Sequence, residues 1–157
     1  MKKTILSGVI LCASLSPQLQ AQNLTLPRLF AEPALSGTAP KLLAYAPDGS
    51  RITYLKGKAK DANRLDLWQY ELATGKHSVL VDSDTLFSGT EVLSDEEKAR
   101  RERLRLFASG IVSYQWSKDG KALLFPLNGD LYHYQLSSKK ARKLTETEAF
   151  ETDAQIS

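Results

Sequence analysis

One phrase occurs twice in this chain and restricts its possible folds more than any other feature. Leu42-Leu43-Ala44-Tyr45-Ala46-Pro47-Asp48-Gly49-Ser50-Arg51-Ile52-Thr53-Tyr54 sets an apolar run, an Asp-Gly pair and a second apolar run ending on an aromatic. Ser113-Tyr114-Gln115-Trp116-Ser117-Lys118-Asp119-Gly120-Lys121-Ala122-Leu123-Leu124-Phe125 repeats that order, its Asp-Gly pair 71 positions later. Asp-Gly between two such runs is a hairpin signal, because glycine takes the positive φ that the turn needs.

The match continues downstream. Asp66-Leu67-Trp68-Gln69-Tyr70-Glu71-Leu72 aligns with Asp130-Leu131-Tyr132-His133-Tyr134-Gln135-Leu136, at a spacing of 64. Both alternate apolar with polar residues, as a strand with one buried face does. Each leads through a polar turn, Ala73-Thr74-Gly75-Lys76 or Ser137-Ser138-Lys139-Lys140, to a fourth strand at 78–81 or 142–145. The shorter second spacing reflects an insertion in the first copy, read as a long polar loop over 56–64.

Each unit therefore reads as a four-stranded antiparallel meander, and the repetition as propeller blades. The predicted fold is all-β: the first two four-stranded antiparallel blades of an incomplete β-propeller, with one inserted charged helix and an N-terminal signal segment. The expected divisions are a signal peptide at 1–21, an extension at 22–40, a blade at 41–82, a helical insertion at 91–108, a blade at 110–145 and the start of another at 146–157. Two blades and a stub cannot close a ring, so the chain is expected to be part of a longer protein.

The segment from Glu91 to Phe107 breaks the strand pattern and reads as helical. Ser94 and Glu97 have capping-box spacing, with Glu97 expected to reach back to the cap. Asp95, Glu96 and Glu97 suit the positive end of the helix dipole; Arg103 and Arg105 suit the other. Glu96–Arg100 and Glu97–Arg101 are expected ion pairs at i,i+4. Leu104, Phe107 and Ala108 form a short apolar patch, and Gly110 ends the segment. The helix is either a solvated excursion between blades or a charged element overhanging the propeller opening, its arginines meeting an anionic or carbonyl group.

Lys2 and Lys3 precede an apolar run from Ile5 to Leu15, broken by Pro17, and Leu19-Gln20-Ala21 offers a small residue before Gln22. That is the layout of a secretory signal peptide cleaved after Ala21, which predicts export to a bacterial periplasm and no membrane association after removal. The formal charge of +3 includes Lys2 and Lys3, so the remainder is near neutral and gives no reason to expect nucleic acid. The single cysteine, Cys12, falls in this leader. Within the mature chain a disulfide or cysteine-held metal is thereby excluded. His77 and His133 stand apart in strand contexts and read as partly exposed strand histidines. Without clustered ligands or a glycine-rich phosphate loop, neither a metal nor an organic cofactor is expected.

Leu24-Thr25-Leu26-Pro27-Arg28-Leu29-Phe30-Ala31-Glu32-Pro33-Ala34-Leu35-Ser36-Gly37 resembles the start of bacterial dipeptidyl peptidase IV proteins, of the prolyl oligopeptidase superfamily. Pro47-Asp48-Gly49 with Leu65-Asp66-Leu67-Trp68-Gln69-Tyr70 is similar too. The most specific similarity is Glu91-Val92-Leu93-Ser94-Asp95-Glu96-Glu97-Lys98-Ala99-Arg100-Arg101-Glu102-Arg103 followed by Gly110-Ile111-Val112-Ser113-Tyr114-Gln115-Trp116-Ser117. The resemblance covers 24–157. It implies an eight-bladed propeller followed by an α/β-hydrolase domain, and release of N-terminal dipeptides with proline or alanine in second position. It also implies a Ser-His-Asp triad beyond Ser157. No Gly-x-Ser-x-Gly nucleophile elbow is present in the 157 residues, so the chain alone is expected to be inactive.

Family members grip the substrate amino terminus with paired glutamates. Asp95-Glu96-Glu97 is not taken as that pair, since the family's pair follows later blades. The family's propeller arginine near the substrate points to this helix, with Arg101, Arg103 and Arg105 as candidate substrate-binding residues; which of them serves stays open. The implied partners are peptides with Pro or Ala at the second position and the C-terminal hydrolase domain; pairing of two copies is left open. Two other readings remain: a periplasmic propeller used as an interaction scaffold without a hydrolase domain, and another exopeptidase or oligopeptidase of the same superfamily.

Overall fold

The computed structural model describes residues 24–31, 34–147, 151 and 154–156. The chain divides into two units, Met1–Glu32 and Pro33–Ser157. In the first, the described part is one helical turn, α1 (Leu26–Leu29), with Pro27 in its first turn and the Thr25 hydroxyl accepting from the Arg28 amide. The signal peptide and its cleavage point lie outside the described residues.

The second unit is built from two antiparallel meanders. β1 (Lys41–Tyr45), β2 (Arg51–Gly57), β3 (Arg64–Glu71) and β4 (Lys76–Val81) form the first, in sequence order. Two helices follow, α2 (Ser83–Leu86) and α3 (Asp95–Arg103). β5 (Ser109–Gly110) then returns to the first sheet and lies parallel to β3, pairing Arg64 with Ser109 and Leu65 with Gly110. The second meander is β6 (Gln115–Trp116), β7 (Ala122–Leu127), β8 (Asp130–Gln135) and β9 (Lys140–Lys143). Among the described residues the fold is all-β apart from these short helices, and the two sheets are consecutive propeller-type blades.

The repeat holds at the level of single atoms. Each Asp-Gly turn is a four-residue loop rather than a two-residue one. Gly49 N donates to Ala46 O at 2.8 Å and Gly120 N to Ser117 O at 2.9 Å, closing a β-turn before the glycine. The glycines leave that turn at φ 70° and 69°, the left-handed conformation that costs glycine little. The aspartates fix the loops, Asp48 accepting from Ser50 N at 2.9 Å and Asp119 from Lys121 N at 3.0 Å.

A second shared device sits at the start of the third strand. Asp66 accepts from the amide of Ser83, 17 residues on, at 2.9 Å. Asp130 accepts from the amide of Thr147, also 17 residues on, at 3.4 Å. Both aspartates are buried, and each pins the chain just after the fourth strand has left its sheet.

Several boundaries differ from the sequence reading. The polar insertion is shorter than 56–64, because Lys56 pairs with Asp66 and Gly57 with Leu65. The β2–β3 hairpin thus continues one residue pair beyond its counterpart, where Leu127 pairs with Asp130 across a turn at Asn128 and Gly129. Those two have φ 51° and 88°, the left-handed pair a two-residue hairpin turn demands. The β3–β4 and β8–β9 turns begin one residue earlier than expected, so β4 starts at Lys76 and β9 at Lys140. The first sheet has five strands instead of four, since β5 was hidden inside a segment without strand periodicity.

The core lies between the blades. Leu55, Leu65, Leu67, Val81 and Ile111 meet Leu123, Phe125, Leu127, Tyr132 and Tyr134 in one cluster of buried side chains. β2 and β3 give one side of their sheet, its back, to this cluster, while β7 and β8 give the opposite side of theirs, its front. Trp116 Nε1 donates to Thr53 Oγ1 at 2.9 Å across the same interface. Burying a side chain the size of Phe125 contributes about 2–3 kcal/mol, so this interface is the main stabilising contact of the unit.

Candidate functional site at the helical insertion

Within the expected 91–108 insertion, helix α3 spans Asp95–Arg103. Its start is as expected: Ser94 Oγ accepts from Glu97 N at 3.2 Å, and Asp95, Glu96 and Glu97 fill the first turn. Its end has a definite cause. Leu106 N donates to Arg101 O at 2.8 Å and Arg105 N to Glu102 O at 3.0 Å, with Arg105 at φ 53°. That is a Schellman ending with arginine where glycine is commonest, and the left-handed residue stops the helix.

Glu97 does not complete the capping box. Its carboxylate is buried and receives Arg101 Nε at 2.8 Å and Arg100 Nε at 2.7 Å. The expected Glu97–Arg101 pair forms, whereas Arg100 turns to Glu97 in place of Glu96. Burial alone would push the Glu97 carboxyl up; the hydrogen bonds from Arg100 and Arg101 outweigh it and hold the group below the usual glutamate range.

Arg101 is the hub. Besides Glu97 it donates to Glu91 Oε2 at 3.0 Å and to the carbonyl of Ala108 at 3.2 Å. The other Glu91 oxygen accepts from the amide of Gly110. One guanidinium thus ties together the segment entering the helix, the helix itself and the segment leaving it, and Glu91 fastens all three to β5. An ion cluster this buried is stable only when every charge has partners, as here. Gly110 is required where it stands: φ is 76°, and a Cβ there would lie 2.5 Å from the carbonyl oxygen of Leu65.

A second charged cluster faces the first. Lys58 Nζ lies 2.8 Å from Asp66, 2.6 Å from Asp82 and 3.2 Å from Asp84. Arg64 bonds Asp84 and the carbonyl of Phe87. Burial would lower the Lys58 ammonium, but hydrogen bonds to Asp66, Asp82 and Asp84 prevail and hold it above the ordinary lysine range. This cluster anchors the 58–63 loop and α2, whose N-cap Asp82 accepts from Asp84 N at 2.8 Å.

Between the clusters is a hollow of about 720 Å³ lined by Arg64, Asp84, Glu91, Lys98, Arg101 and Phe107, among others. Its cations already face carboxylates: Arg64 with Asp84, Arg101 with Glu91 and Glu97, Lys98 with Asp95. Neither histidine lines it, so the walls carry no histidine base beside a nucleophile. Among the described residues no group of three or more His, Cys, Asp or Glu is placed to hold a metal, and no described helix is long and apolar enough to cross a membrane.

The three candidate arginines are not gathered at one point. Arg101 is buried in its ion cluster. Arg103 is exposed on the last helical turn, and two-residue spacing puts it on a different helix face from Arg101. Arg105 is exposed beyond the helix end. Leu104 and Phe107, read as an apolar patch, are 55% and 78% exposed. His77 lies on the first blade, its Nδ1 2.8 Å from Tyr54 Oη and its ring 4.6 Å from that of Tyr70. His133 is half-buried on β8, paired with Leu124 and Arg142.

Glu91 is the functional anchor that sequence reading missed, because a carboxylate outside a helix gives no periodic signal. Lys58 was missed inside the insertion. For α2 a signal existed in Asp82 followed by Ser83 and Asp84, a capping residue and an early acidic residue.

No family model matches the chain. Among solved structures the chain is similar to TolB from Acinetobacter baumannii, at 20% identity and TM-score 0.43, over 69% of this chain and 21% of that one. A chain of a mitotic checkpoint complex is similar at 19% identity and TM-score 0.42, over 69% of this chain and 25% of that one. The chain spans about a quarter or less of the length of either.

Proposed function

We propose that this chain is the opening part of the propeller of an exported serine dipeptidyl peptidase of the dipeptidyl peptidase IV kind, acting in substrate recognition and gating and not in catalysis. The observation that carries the reading is the charged helix between the blades, fastened by Arg101, Glu97 and Glu91 to β5. A solvated excursion would not need three buried charges to hold its position. With Arg101 engaged, Arg103 and Arg105 are guanidinium groups exposed to a peptide carbonyl or carboxylate. The substrates under this reading are peptides with proline or alanine in second position, the compartment is the periplasm, and the triad belongs to a hydrolase domain downstream.

Two measurements test it. The full chain is offered a chromogenic Xaa-Pro dipeptide, and no turnover above background is expected; turnover would place chemistry within these 157 residues and overturn the assignment. The coding sequence following the Ser157 codon is then read. A Gly-x-Ser-x-Gly elbow with later Asp and His supports the peptidase, whereas further blades ending without an elbow support the interaction scaffold.

A further inference from the structure

Among the described residues, four that are not glycine hold a positive φ: Leu42 at 49°, Arg105 at 53°, Asn128 at 51° and Lys139 at 53°. Asn128 and Lys139 stand in the β7–β8 and β8–β9 turns, where that conformation is routine. Leu42 and Arg105 do not stand in hairpin turns. Leu42 lies within β1, where pairing with β2 slips between Lys41 and Ala44, and a leucine in this conformation is an outlier. Arg105 follows α3 in the place glycine usually takes. Strain of this kind persists only where the surroundings enforce it, and it gathers at binding sites. Each residue has its fastening. Tyr114 Oη donates to Leu42 O at 2.7 Å, and Arg105 N donates to Glu102 O at 3.0 Å.

Far apart in sequence, Leu42 and Arg105 line one hollow of about 340 Å³. Leu55 and Leu65, both buried, form its floor, while Leu42 and Phe107 stand 56% and 78% exposed around it. It lies on the side of the first blade that faces the second, beside the bond from Tyr114. Neither the front of the first blade nor the back of the second supplies a wall. Its charged lining residues are Lys41 and Arg105, both exposed, with no Asp or Glu beside them. Among the described residues neither is ion-paired, in contrast to Arg64, Lys98 and Arg101 of the larger hollow.

We propose that this hollow binds a small apolar carboxylate, with its hydrocarbon body against Leu42, Leu55, Leu65 and Phe107 and its carboxylate held by Lys41 and Arg105. Two cations without a counter-charge call for an anion, and a guanidinium takes a carboxylate through two parallel bonds. The leucine floor calls for carbon attached to that anion, as in ligand pockets that are mostly apolar with a few placed polar groups. Inorganic phosphate would leave the floor unfilled, and a free amine would meet no carboxylate. A peptide would therefore enter by its C-terminal residue, and a fatty acid by its headgroup, through the same contacts. The inference does not rest on the peptidase reading.

The test is amide NMR of the full chain, titrated separately with N-acetylphenylalanine and with octanoate. Saturable shifts are expected at Leu42, Asn63, Ala108 and Val112, with a Kd of about 1 mM or below. Saturation by N-acetylphenylalanine alone assigns a peptide terminus, saturation by octanoate alone a fatty acid, and saturation by both the shared chemistry. The uncharged N-acetylphenylalaninamide should bind about tenfold more weakly than its acid. Arg105→Gly removes the guanidinium and leaves a residue at ease at positive φ; Lys41→Gln removes the ammonium from an exposed position. Each should weaken the acids about tenfold, with thermal unfolding showing that the fold is kept. The Lys41→Glu/Arg105→Glu variant should reject both acids and take up octylammonium at the same amides. Equal affinity for acid and amide overturns the proposal, as does affinity unchanged in Arg105→Gly and Lys41→Gln. So do shifts confined to the apolar leader, or no saturation by either acid up to about 10 mM. Such a failure leaves the peptidase reading untouched, since turnover and the downstream coding sequence decide that.

Discussion

The first and second blades share a strand plan, a turn and a pinning aspartate, yet they spend these features differently. The second blade buries its front, with Phe125 and Leu123 fully inaccessible. The first exposes Tyr45 and Val79 on the same side of its sheet. Conversely, the first blade has the heavier polar reinforcement. Asp66 takes two bonds from Ser83 and a salt bridge from Lys58, where Asp130 has one long bond from Thr147 and one lysine, Lys143. A blade covered on its aromatic front needs little else to stay ordered. A blade lacking that cover relies on its insertion loop, on β5 and on the ion clusters that hold them.

The largest test of this contrast is a pair of truncations, one on the front of each blade. Phe125→Ala should cost about 3–5 kcal/mol in a denaturant titration of the single chain, being a fully buried aromatic deletion. Tyr45→Ala, on the front of the other blade, should cost less than about 0.5 kcal/mol, its ring being 69% exposed. Similar losses for both would mean that the first front is covered.

The pinning aspartates give the next comparison. Asp66→Ala leaves the Ser83 amide and hydroxyl and Lys58 without their acceptor and should cost about 3 kcal/mol. Asp130→Ala should cost about 1 kcal/mol, matching its weaker bond. Equal costs would show that the insertion adds nothing to the first blade.

The helix anchor supplies a pH signature. Glu97 titrates below the ordinary glutamate value of 4.5 in the folded protein. Its contribution is therefore complete above about pH 4.5 and is lost as the pH falls through the lower folded value. Glu97→Gln should flatten the stability profile in that acid window and destabilise the protein at neutral pH, where Arg100 and Arg101 lose a charged partner. An unchanged acid profile would remove Glu97 from the anchor.

The smallest expected effect is a gain. Lys139 stands at φ 53° where the first blade has Gly75 at 68°. Lys139→Gly should stabilise by about 0.5–1 kcal/mol by relieving a left-handed residue, partly offset by the freedom glycine gives the unfolded chain. The reverse change, Gly75→Lys, should destabilise by a similar amount.

What the sequence makes legible follows from what is periodic or local. The alternation in Asp130-Leu131-Tyr132-His133-Tyr134-Gln135 and the Asp-Gly turns are local patterns, and the structure has strands and turns there. Ser94 with its acidic first turn announces where α3 begins. Its end was misread because Arg105 occupies the left-handed position, and nothing in an arginine reports that. β5 is two residues long and parallel to β3, too short to have a period. At the candidate site, Arg101 was singled out through the family resemblance, but its burial depends on Glu91, ten residues before it in sequence and outside the helix. Such a contact is a product of the tertiary fold.

The central claim is that the front of the second blade is seated on the back of the first. A double-mutant cycle across Trp116 and Thr53, using Trp116→Phe and Thr53→Val, measures it most directly. The Trp116 Nε1 to Thr53 Oγ1 bond of 2.9 Å predicts a coupling energy of about 0.5–1.5 kcal/mol. Strictly additive single and double changes would contradict the seating of one blade on the other.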